Sequence, residues 1–538
     1  MPSLVVALGH THFRTEGACV RTAFEYVLEP DWPPLSWIAR CVKNDPTIRV
    51  RHGKQVETHA DWFCEAIWDG TFESGAFDQT DTVFGSGGRL RAREAIFVSS
   101  ASTEDRLHVL RRTDDVLISN SLPCLLSAAQ TRIPPSAEDW FALFISIRHG
   151  INRYRRHIPT TSGDRVELVY FRNLQWTGTD LIEVDKPTLL RDFSTYDKYF
   201  GFLVDAATRL SANFSDEARR YRYEFLGTLS SGYDCNAATV VCSRAGLTQA
   251  ITSGRPRGAG ADDGMAVAQA LNLEVVKFDR DAWRQRPRAE VVFFAGTPRG
   301  GEVYLSAVEE RLAGKVLVTG FTGDSTWGKA TTALGADLVR GGMSGLSLCE
   351  YRLHIGFIHF PLAFLGVRQI RDINAISNSK ALAQWDVPGD YSRPICRRIL
   401  EDAGVPRDAF GQRKKMANIH FGQGETMLTE ASKRDYHGWL TSGWRSGQFP
   451  VLRRSPAPGV LTMWLGDHWW LLDRTVHFAA RAFPESVRKA ASRRLSRMQR
   501  GLSRRINVPD FVFPWAVDRT RDAYGRSGDR RANAVDRS

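Results

Sequence analysis

The chain has 538 residues, enough for two or three domains, and its 43% hydrophobic and 25% charged residues are typical of a globular protein. No apolar run is long enough to span a bilayer, and the N-terminal residues lack the basic region and apolar length of a signal peptide, so we expect a cytoplasmic protein. The eight cysteines are scattered without a CxxC pair, which argues against a zinc site or a disulfide framework.

The net charge of +12 is concentrated in one region. Residues 441–538 contain 19 Lys or Arg against 8 Asp or Glu, so the first 440 residues are close to neutral. The basic balance therefore belongs to the C-terminal region and does not identify a ligand for the rest of the chain.

Residues 1–185 are predicted to form a β-rich domain. Short apolar runs of strand type are separated by turn-rich or polar stretches. These runs are 4–11, 95–101, 115–121 and 165–171. His, Cys and acidic residues do not cluster among them in a metal-binding or triad pattern.

Residues 186–440 alternate between helical and strand patterns. After a helical stretch that ends near Phe214, apolar runs alternate with helical segments. The runs are 224–231, 246–254, 273–279 and 315–321. This alternation predicts a parallel sheet with flanking helices. Ligands of such sheets bind beyond the carboxyl ends of the strands, near a point where the strand order reverses.

The turn after the strand that ends at Leu229 is the first candidate binding element. Ser230, Ser231 and Gly232 are small, and a helical pattern begins after Asp234. Backbone N–H groups at a helix N-terminus attract anions, and an acidic residue there suits a divalent cation shared with phosphates. An ordinary strand-to-helix turn produces the same pattern more often.

A second turn has the same form. Asp324 follows a strand that ends at Thr319 and Gly320. Two carboxylates at neighbouring strand ends can share a Mg²⁺ ion that also binds the phosphates of ATP. Each aspartate alone is better explained as a helix N-cap. Together they favour a metal–nucleotide site.

A basic run, residues 413–415, lies in a Pro- and Gly-containing segment after a predicted helix. Basic clusters in loops usually lie on the surface. The functional alternative is a cation that stabilises the charge of a departing pyrophosphate.

Four segments together resemble the synthetase domain of the asparagine synthetase family, which also contains β-lactam synthetases and lasso-peptide cyclases. Residues 229–237, LSSGYDCNA, stand where the family has a Ser-Gly-Gly-x-Asp-Ser pyrophosphate loop. Residues 251–278 are similar to its second strand, acidic-start helix and third strand. Residues 316–328 are similar to its Ser/Thr-Gly-x-Gly-x-Asp segment, and 393–416 to its closing Leu-Arg…Leu-Pro…Arg-x-Lys segment.

The resemblance implies an α/β fold with a parallel-sheet pyrophosphate-loop domain of the adenine-nucleotide α-hydrolase type. It implies an enzyme that uses ATP and Mg²⁺ to adenylate a carboxylate and then forms an amide with ammonia or an amine. The residues it assigns to ATP are Leu229, Ser230, Ser231, Gly232, Asp234, Cys235, Ser253, Thr319 and Gly320. It assigns Mg²⁺ to Asp234 and Asp324, and pyrophosphate stabilisation to Lys415, with Lys414 as the alternative.

Five positions depart from the family pattern. Ser231 replaces a glycine, and Cys235 replaces a serine whose hydroxyl would donate to phosphate. Phe321 stands where asparagine synthetases have Glu and β-lactam synthetases have Tyr, and phenylalanine cannot act as an acid or base. Thr322 replaces a glycine and Ser325 replaces a glutamate. These changes argue against strict asparagine synthesis and motivate an alternative, a non-catalytic nucleotide-binding relative that acts on a partner through its basic tail.

Residues 1–185 resemble in layout the family's glutamine amidotransferase domain, an α+β fold of the N-terminal-nucleophile type. That domain works through a cysteine exposed by loss of Met1, and here residue 2 is Pro2, which has no thiol. We therefore predict a structural domain without glutaminase activity, and a nitrogen supply from ammonia or an amine substrate.

Residues 441–538 are predicted to form an extension. Apolar residues three or four apart, interleaved with arginines, predict a basic amphipathic helix over 484–506. It suits a partner protein or an anionic membrane surface, and a helix packed on the synthetase domain explains it equally well; nucleic acid is the least favoured partner. The residues from about Tyr524 onward are polar and predicted to be disordered.

Overall fold

The computed structural model describes the following residues: 22–92, 94–135, 140–254, 263–388, 391–411, 428–446, 475–476, 484–487, 490, 494–495 and 511–535. The strands in these residues are β1 (Ala23–Leu28), β2 (Trp37–Val42), β3 (Thr47–His52), β4 (Glu57–Thr58), β5 (Trp62–Trp68), β6 (Val83–Arg91), β7 (Glu94–Val98), β8 (Leu107–Arg111), β9 (Asp115–Ser119), β10 (His157–Pro159), β11 (Arg165–Val169), β12 (Asn173–Trp176), β13 (Leu181–Val184), β14 (Glu224–Leu229), β15 (Gln249–Ser253), β16 (Glu274–Phe278), β17 (Lys315–Thr319) and β18 (Ile358–Pro361). The α-helices are α1 (Leu122–Ala128), α2 (Trp140–Ile145), α3 (Tyr196–Phe214), α4 (Asp234–Ser243), α5 (Met265–Ala270), α6 (Val291–Gly296), α7 (Gly323–Thr326), α8 (Leu348–Ile355), α9 (Ile370–Ser377), α10 (Pro394–Asp402), α11 (Glu430–Arg445) and α12 (Val512–Val535).

The first thirteen strands form two sheets. One has the order β1-β3-β2-β9-β8-β11-β10 and the other β13-β12-β7-β6-β5-β4, and every pair is antiparallel except β1 with β3. Alternate residues of both sheets meet in a shared core that includes Trp37, Phe63 and Phe97. The predicted β-rich first half is confirmed in this form.

The remaining five strands form a parallel sheet with the order β16-β15-β14-β17-β18. Its strands alternate between two cores: Phe225 and Val316 face the side of α3, α4 and α10, whereas Leu226 and Leu317 face the side of α6, α8 and α12. Apolar burial on both faces is what a parallel sheet requires. The predicted α/β architecture with a parallel sheet is therefore confirmed.

Strand β14 lies in the middle of this sheet, and the chain leaves it in two directions. The next strands, β15 and β16, lie on one side, whereas β17 and β18 lie on the other. The strand order thus reverses between β14 and β17, whose carboxyl ends are Leu229 and Thr319. Such a reversal opens a crevice beyond the strand ends, where ligands of open α/β sheets bind.

A buried ion network joins the β-rich half to the parallel-sheet half. Arg352 of α8 donates to Glu65 Oε2 from Nη1 at 2.6 Å and to Asp105 Oδ1 from Nε at 2.8 Å, and all three side chains are buried. Phe84 and Phe360 also pack across this boundary with ring centroids 4.7 Å apart. The two halves share one extensive interface.

Helix α12 is an integral part of the core rather than a loose tail. It packs against α1 and α6, and Trp515 is fully buried. The Tyr524 hydroxyl donates to Glu350 Oε1 at 2.9 Å. The prediction that disorder begins near Tyr524 is wrong, because this side chain is buried in a continuous helix.

Most of the predicted basic helix over 484–506 lies outside the described residues. Across the part of the chain that the structure describes, no helix combines the length and apolar character needed to cross a bilayer.

Candidate functional site

The loop after β14 is fixed by Asn236, a fully buried residue in the first turn of α4. Its Oδ1 accepts from the Ser230 N–H at 3.1 Å, and its Nδ2 donates to the carbonyls of Ser230 and Gly232 at 2.7 and 2.8 Å. The Gly232 N–H donates to Ser230 Oγ at 3.1 Å. One amide side chain thus holds the predicted pyrophosphate loop, a role that the sequence analysis did not assign.

Two glycines of the loop after β17, Gly320 and Gly323, lie directly against Asp234, which follows the loop after β14. A Cβ at Gly320 would lie only 2.1 Å from the carbonyl carbon of Asp234, and a Cβ at Gly323 would lie 2.7 Å from Asp234 Cγ. Because any side chain at Gly320 would overlap the backbone of α4, the contact requires glycine. The two strand ends therefore form one continuous surface.

Asp234 forms an ion pair with Arg393 Nη1, at the N-terminus of α10. The side chains of Arg393 and Asp234 are 7% and 19% exposed. Burial disfavours the charged guanidinium, but the Asp234 carboxylate raises the pKa of Arg393 above its ordinary value. The carboxylate predicted to bind a metal is thus balanced by a cation of the protein itself.

Asp324 has a different environment. It lies in the short helix α7 and is exposed, and within the described residues its carboxylate has no ion-pair partner. The preceding Thr322 adopts the left-handed region with φ of +68°. Since Gly323 lies against Asp234, the structure brings the two predicted aspartates close together. Among the described residues, however, only Asp234 has an ion-pair partner.

The residues do not fit a magnesium ion shared by both aspartates. Mg²⁺ needs carboxylate oxygens at about 2.1 Å, and a guanidinium occupies one side of Asp234. Among the described residues, no group of three or more His, Cys, Asp or Glu is arranged to hold a metal. Of the two aspartates, only Asp324 has a carboxylate without an ion-pair partner among the described residues.

A buried polar chain supports the end of β17. Thr319 Oγ1 lies 2.9 Å from His359 Nε2, and His359 Nδ1 lies 3.1 Å from Glu104 Oε2. Burial lowers the pKa of His359 to about 3 and raises the pKa of Glu104 to about 8. The Thr322 hydroxyl also donates to Glu104 at 3.4 Å. The Glu104 carboxyl group, which belongs to the β-rich half, therefore lies beside the end of β17. Its raised pKa favours the protonated form at neutral pH.

Segment 391–411 covers the first loop. The Gly411 N–H donates to the Ser231 carbonyl at 2.8 Å, and Arg397 Nη2 donates to the Tyr233 hydroxyl at 2.5 Å. With the Arg393 ion pair, these contacts fix α10 and its flanks over the N-terminus of α4. The described part of the 393–416 segment thus contacts this region through Arg393, Arg397 and Gly411, residues to which the sequence analysis gave no role.

The other predicted site residues are placed as follows. Leu229 is buried at the end of β14, and Ser253 is half-buried at the end of β15. Cys235 is half-buried in the first turn of α4. Lys414 and Lys415 lie outside the described residues.

A cavity of about 210 Å³ lies at the amino-terminal ends of the strands of the parallel sheet, opposite the candidate site. Its lining includes Gln249, Glu274 and Lys315, the first residues of β15, β16 and β17. It is therefore distant from the strand ends that form the candidate site, and it offers a second location against which ligand binding can be tested.

The protein is a mixed α/β protein with a parallel sheet. Where the strand order of this sheet reverses, the loop held by Asn236 and the N-terminus of α4 lie beyond the strand ends. No protein-family model matches the chain, and a search of the curated proteins gave no match.

Proposed function

We propose that the protein binds ATP beyond the ends of β14 and β17. The main support for this proposal is the strand order β16-β15-β14-β17-β18. The order reverses between β14 and β17, so the 230–232 loop and the Thr319–Gly320 turn lie together beyond the strand ends. In this proposal the domain has the pyrophosphate-loop fold of the adenine-nucleotide α-hydrolase type, as the resemblance to the asparagine synthetase family implies.

The N-terminus of α4 supports an anionic ligand. This helix begins at Asp234, and no side-chain hydrogen bond caps it at Tyr233. The helix dipole favours negative charge at this end. The residues at 230–232 have small side chains, and Arg393 adds a positive charge beside Asp234.

We further propose that ATP activates a substrate carboxylate as an acyl adenylate, from which ammonia or an amine forms an amide. Such chemistry depends mainly on positioning and on stabilisation of the leaving pyrophosphate. Lys415, with Lys414 as the alternative, remains the proposed pyrophosphate cation. Phe321 packs edge-on against His359 at 5.6 Å and offers no acid or base, so we expect the amine to enter as the free base.

The β-rich half is proposed to be a structural relative of an amidotransferase domain, without glutaminase activity. Its contribution to the site is Glu104, which supports the end of β17 through His359 and Thr322. We place the protein in the cytoplasm, free or held to an anionic membrane or a partner protein by the 484–506 segment.

A second candidate function is nucleotide binding without catalysis. The observation in its favour is the Asp234–Arg393 ion pair, because it occupies a carboxylate that catalysis with a shared metal would need. Tight binding of ATP without turnover of any carboxylate would support this alternative.

ATP–[³²P]pyrophosphate exchange with a panel of carboxylates, aspartate included, tests the ligase proposal. We expect Mg²⁺-dependent exchange with one acid, lost in Gly320→Ala and kept in Gly342→Ala, where an added Cβ meets nothing within 4 Å. Absence of exchange with every acid, together with no detectable ATP binding, would overturn it.

A further inference from the structure

We propose that Arg393 binds the phosphate chain of the nucleotide and that Asp234 positions this arginine instead of binding magnesium. The inference rests on the proposed nucleotide site and adds a binding residue to it. The sequence resemblance assigns no role to Arg393 and gives Asp234 to the metal.

Arg393 is a buried cation with unused hydrogen-bonding capacity. A guanidinium has five N–H donors, and the one side-chain hydrogen bond that Arg393 makes among the described residues goes to Asp234. Its Cζ lies 5.3 Å from the centre of the Tyr391 ring, and only 7% of the side chain is exposed. Its other side-chain donors have no hydrogen-bond partner among the described residues, and the proposal assigns them to a ligand at the N-terminus of α4.

The position of this cation suits phosphate. Arg393 touches the first residue of α4, whose N-cap residue Tyr233 makes no side-chain capping hydrogen bond, and a helix N-terminus favours an anion. Guanidinium groups bind phosphate oxygens in pairs, and such contacts strengthen where water is excluded. A carboxylate on one side of the guanidinium fixes its orientation and leaves the other side for the ligand.

A metal at Asp234 would lie close to the positive charge of Arg393, which contacts one of the two carboxylate oxygens. A divalent ion within coordination distance of the carboxylate would face a guanidinium of the same sign. Arg393 is also the N-cap residue of α10, and the Arg397–Tyr233 and Gly411–Ser231 hydrogen bonds fix this helix and its flank over the loop. Magnesium that accompanies the nucleotide would therefore contact Asp324, which is exposed, and not Asp234.

Binding of a fluorescent ATP analogue, measured in EDTA and over a Mg²⁺ titration, tests this assignment. We expect the unaltered protein to bind the analogue in EDTA. Arg393→Met should weaken binding at least tenfold with and without Mg²⁺, and Arg393→Lys should restore part of the loss. Asp234→Asn should weaken binding less and leave the Mg²⁺ concentration at half-saturation unchanged.

Two control variants distinguish a direct effect on nucleotide binding from a loss of folding and from failure of the proposed nucleotide site. Asp234→Asn combined with Arg393→Met leaves no unpaired buried charge and should bind like Arg393→Met alone, whereas Arg371→Met, on an exposed side chain of α9, should bind like the unaltered protein. A tenfold higher Mg²⁺ requirement in Asp234→Asn, with normal binding by Arg393→Met, would overturn the Arg393 assignment and leave the nucleotide site standing. No binding by the unaltered protein would overturn both.

Discussion

The loops after β14 and β17 have the same sequence form, a strand followed by small residues and an aspartate, yet they are supported by different parts of the chain. The first loop is held within the parallel-sheet half, by Asn236 and by Arg393. The second is held from the β-rich half, by Glu104 acting on Thr322 and on His359. Loops with similar local sequence therefore have different environments, because different residues support them.

The two aspartates show the consequence most directly. Asp234 is paired with a buried cation, whereas Asp324 is exposed and unpaired among the described residues. Removal of the Asp234 charge leaves a buried cation unbalanced, whereas removal of the Asp324 charge leaves no cation of the described residues without its partner.

The largest effect is expected where the two loops touch. Gly320→Ala would place a Cβ 2.1 Å from the Asp234 carbonyl carbon, and backbone cannot yield as a side chain can. We expect a loss of more than about 3 kcal/mol in the free energy of unfolding, above the usual range for overpacking. Urea denaturation of Gly320→Ala and of the control Gly342→Ala measures the difference in stability. Equal stability of the two variants would show that the loops are not in contact.

Asn236→Ala should disrupt the first loop alone. It removes a buried side chain that makes three hydrogen bonds to Ser230 and Gly232. Leaving these backbone groups unsatisfied should cost about 3 kcal/mol. Amide exchange should accelerate at 230–233 and stay unchanged at 319–323; acceleration in both loops would mean that they are not supported independently.

Asp234→Asn and Asp324→Asn form a matched pair that tests the difference between the aspartates. The first leaves Arg393 without its counter-charge and should lower the free energy of unfolding by about 2 kcal/mol, less than for a fully buried pair. The second changes an exposed side chain and should alter it by less than about 0.5 kcal/mol. Equal losses in urea denaturation would contradict the comparison.

A smaller effect should appear in the pH dependence of stability. The pKa of Glu104 is raised from 4.5 to about 8 by burial beside Asp105, Glu302 and the partly compensating Arg340. Its stabilising contribution is complete below pH 4.5 and is lost as the pH rises toward 8.

Between pH 6.5 and 8.5 the unaltered protein should therefore lose more unfolding free energy than Glu104→Gln. This window lies above the range in which His359, with its pKa lowered from 6.5 to about 3, destabilises the fold on acidification. The exposed Glu217→Gln is the control. Identical pH profiles for all three proteins would exclude a raised pKa at Glu104.

The alternation of apolar runs was sufficient to predict the parallel sheet and to place the loop residues at the ends of β14 and β17. It could not identify their partners, because Arg393 lies 159 residues from Asp234 and no local pattern links them. The same limit applies to α12: its apolar residues near Trp515 are visible in the sequence, but the surface they bury against comes from α1 and α6.

Hydrogen–deuterium exchange with and without a non-hydrolysable ATP analogue tests the central claim most directly, because it locates the nucleotide. We expect slower exchange in 231–236 and 319–325, and no change at the cavity formed by the first residues of β15, β16 and β17. Protection at that cavity, or an absence of protection at both strand ends, would contradict a nucleotide site at the point where the strand order reverses.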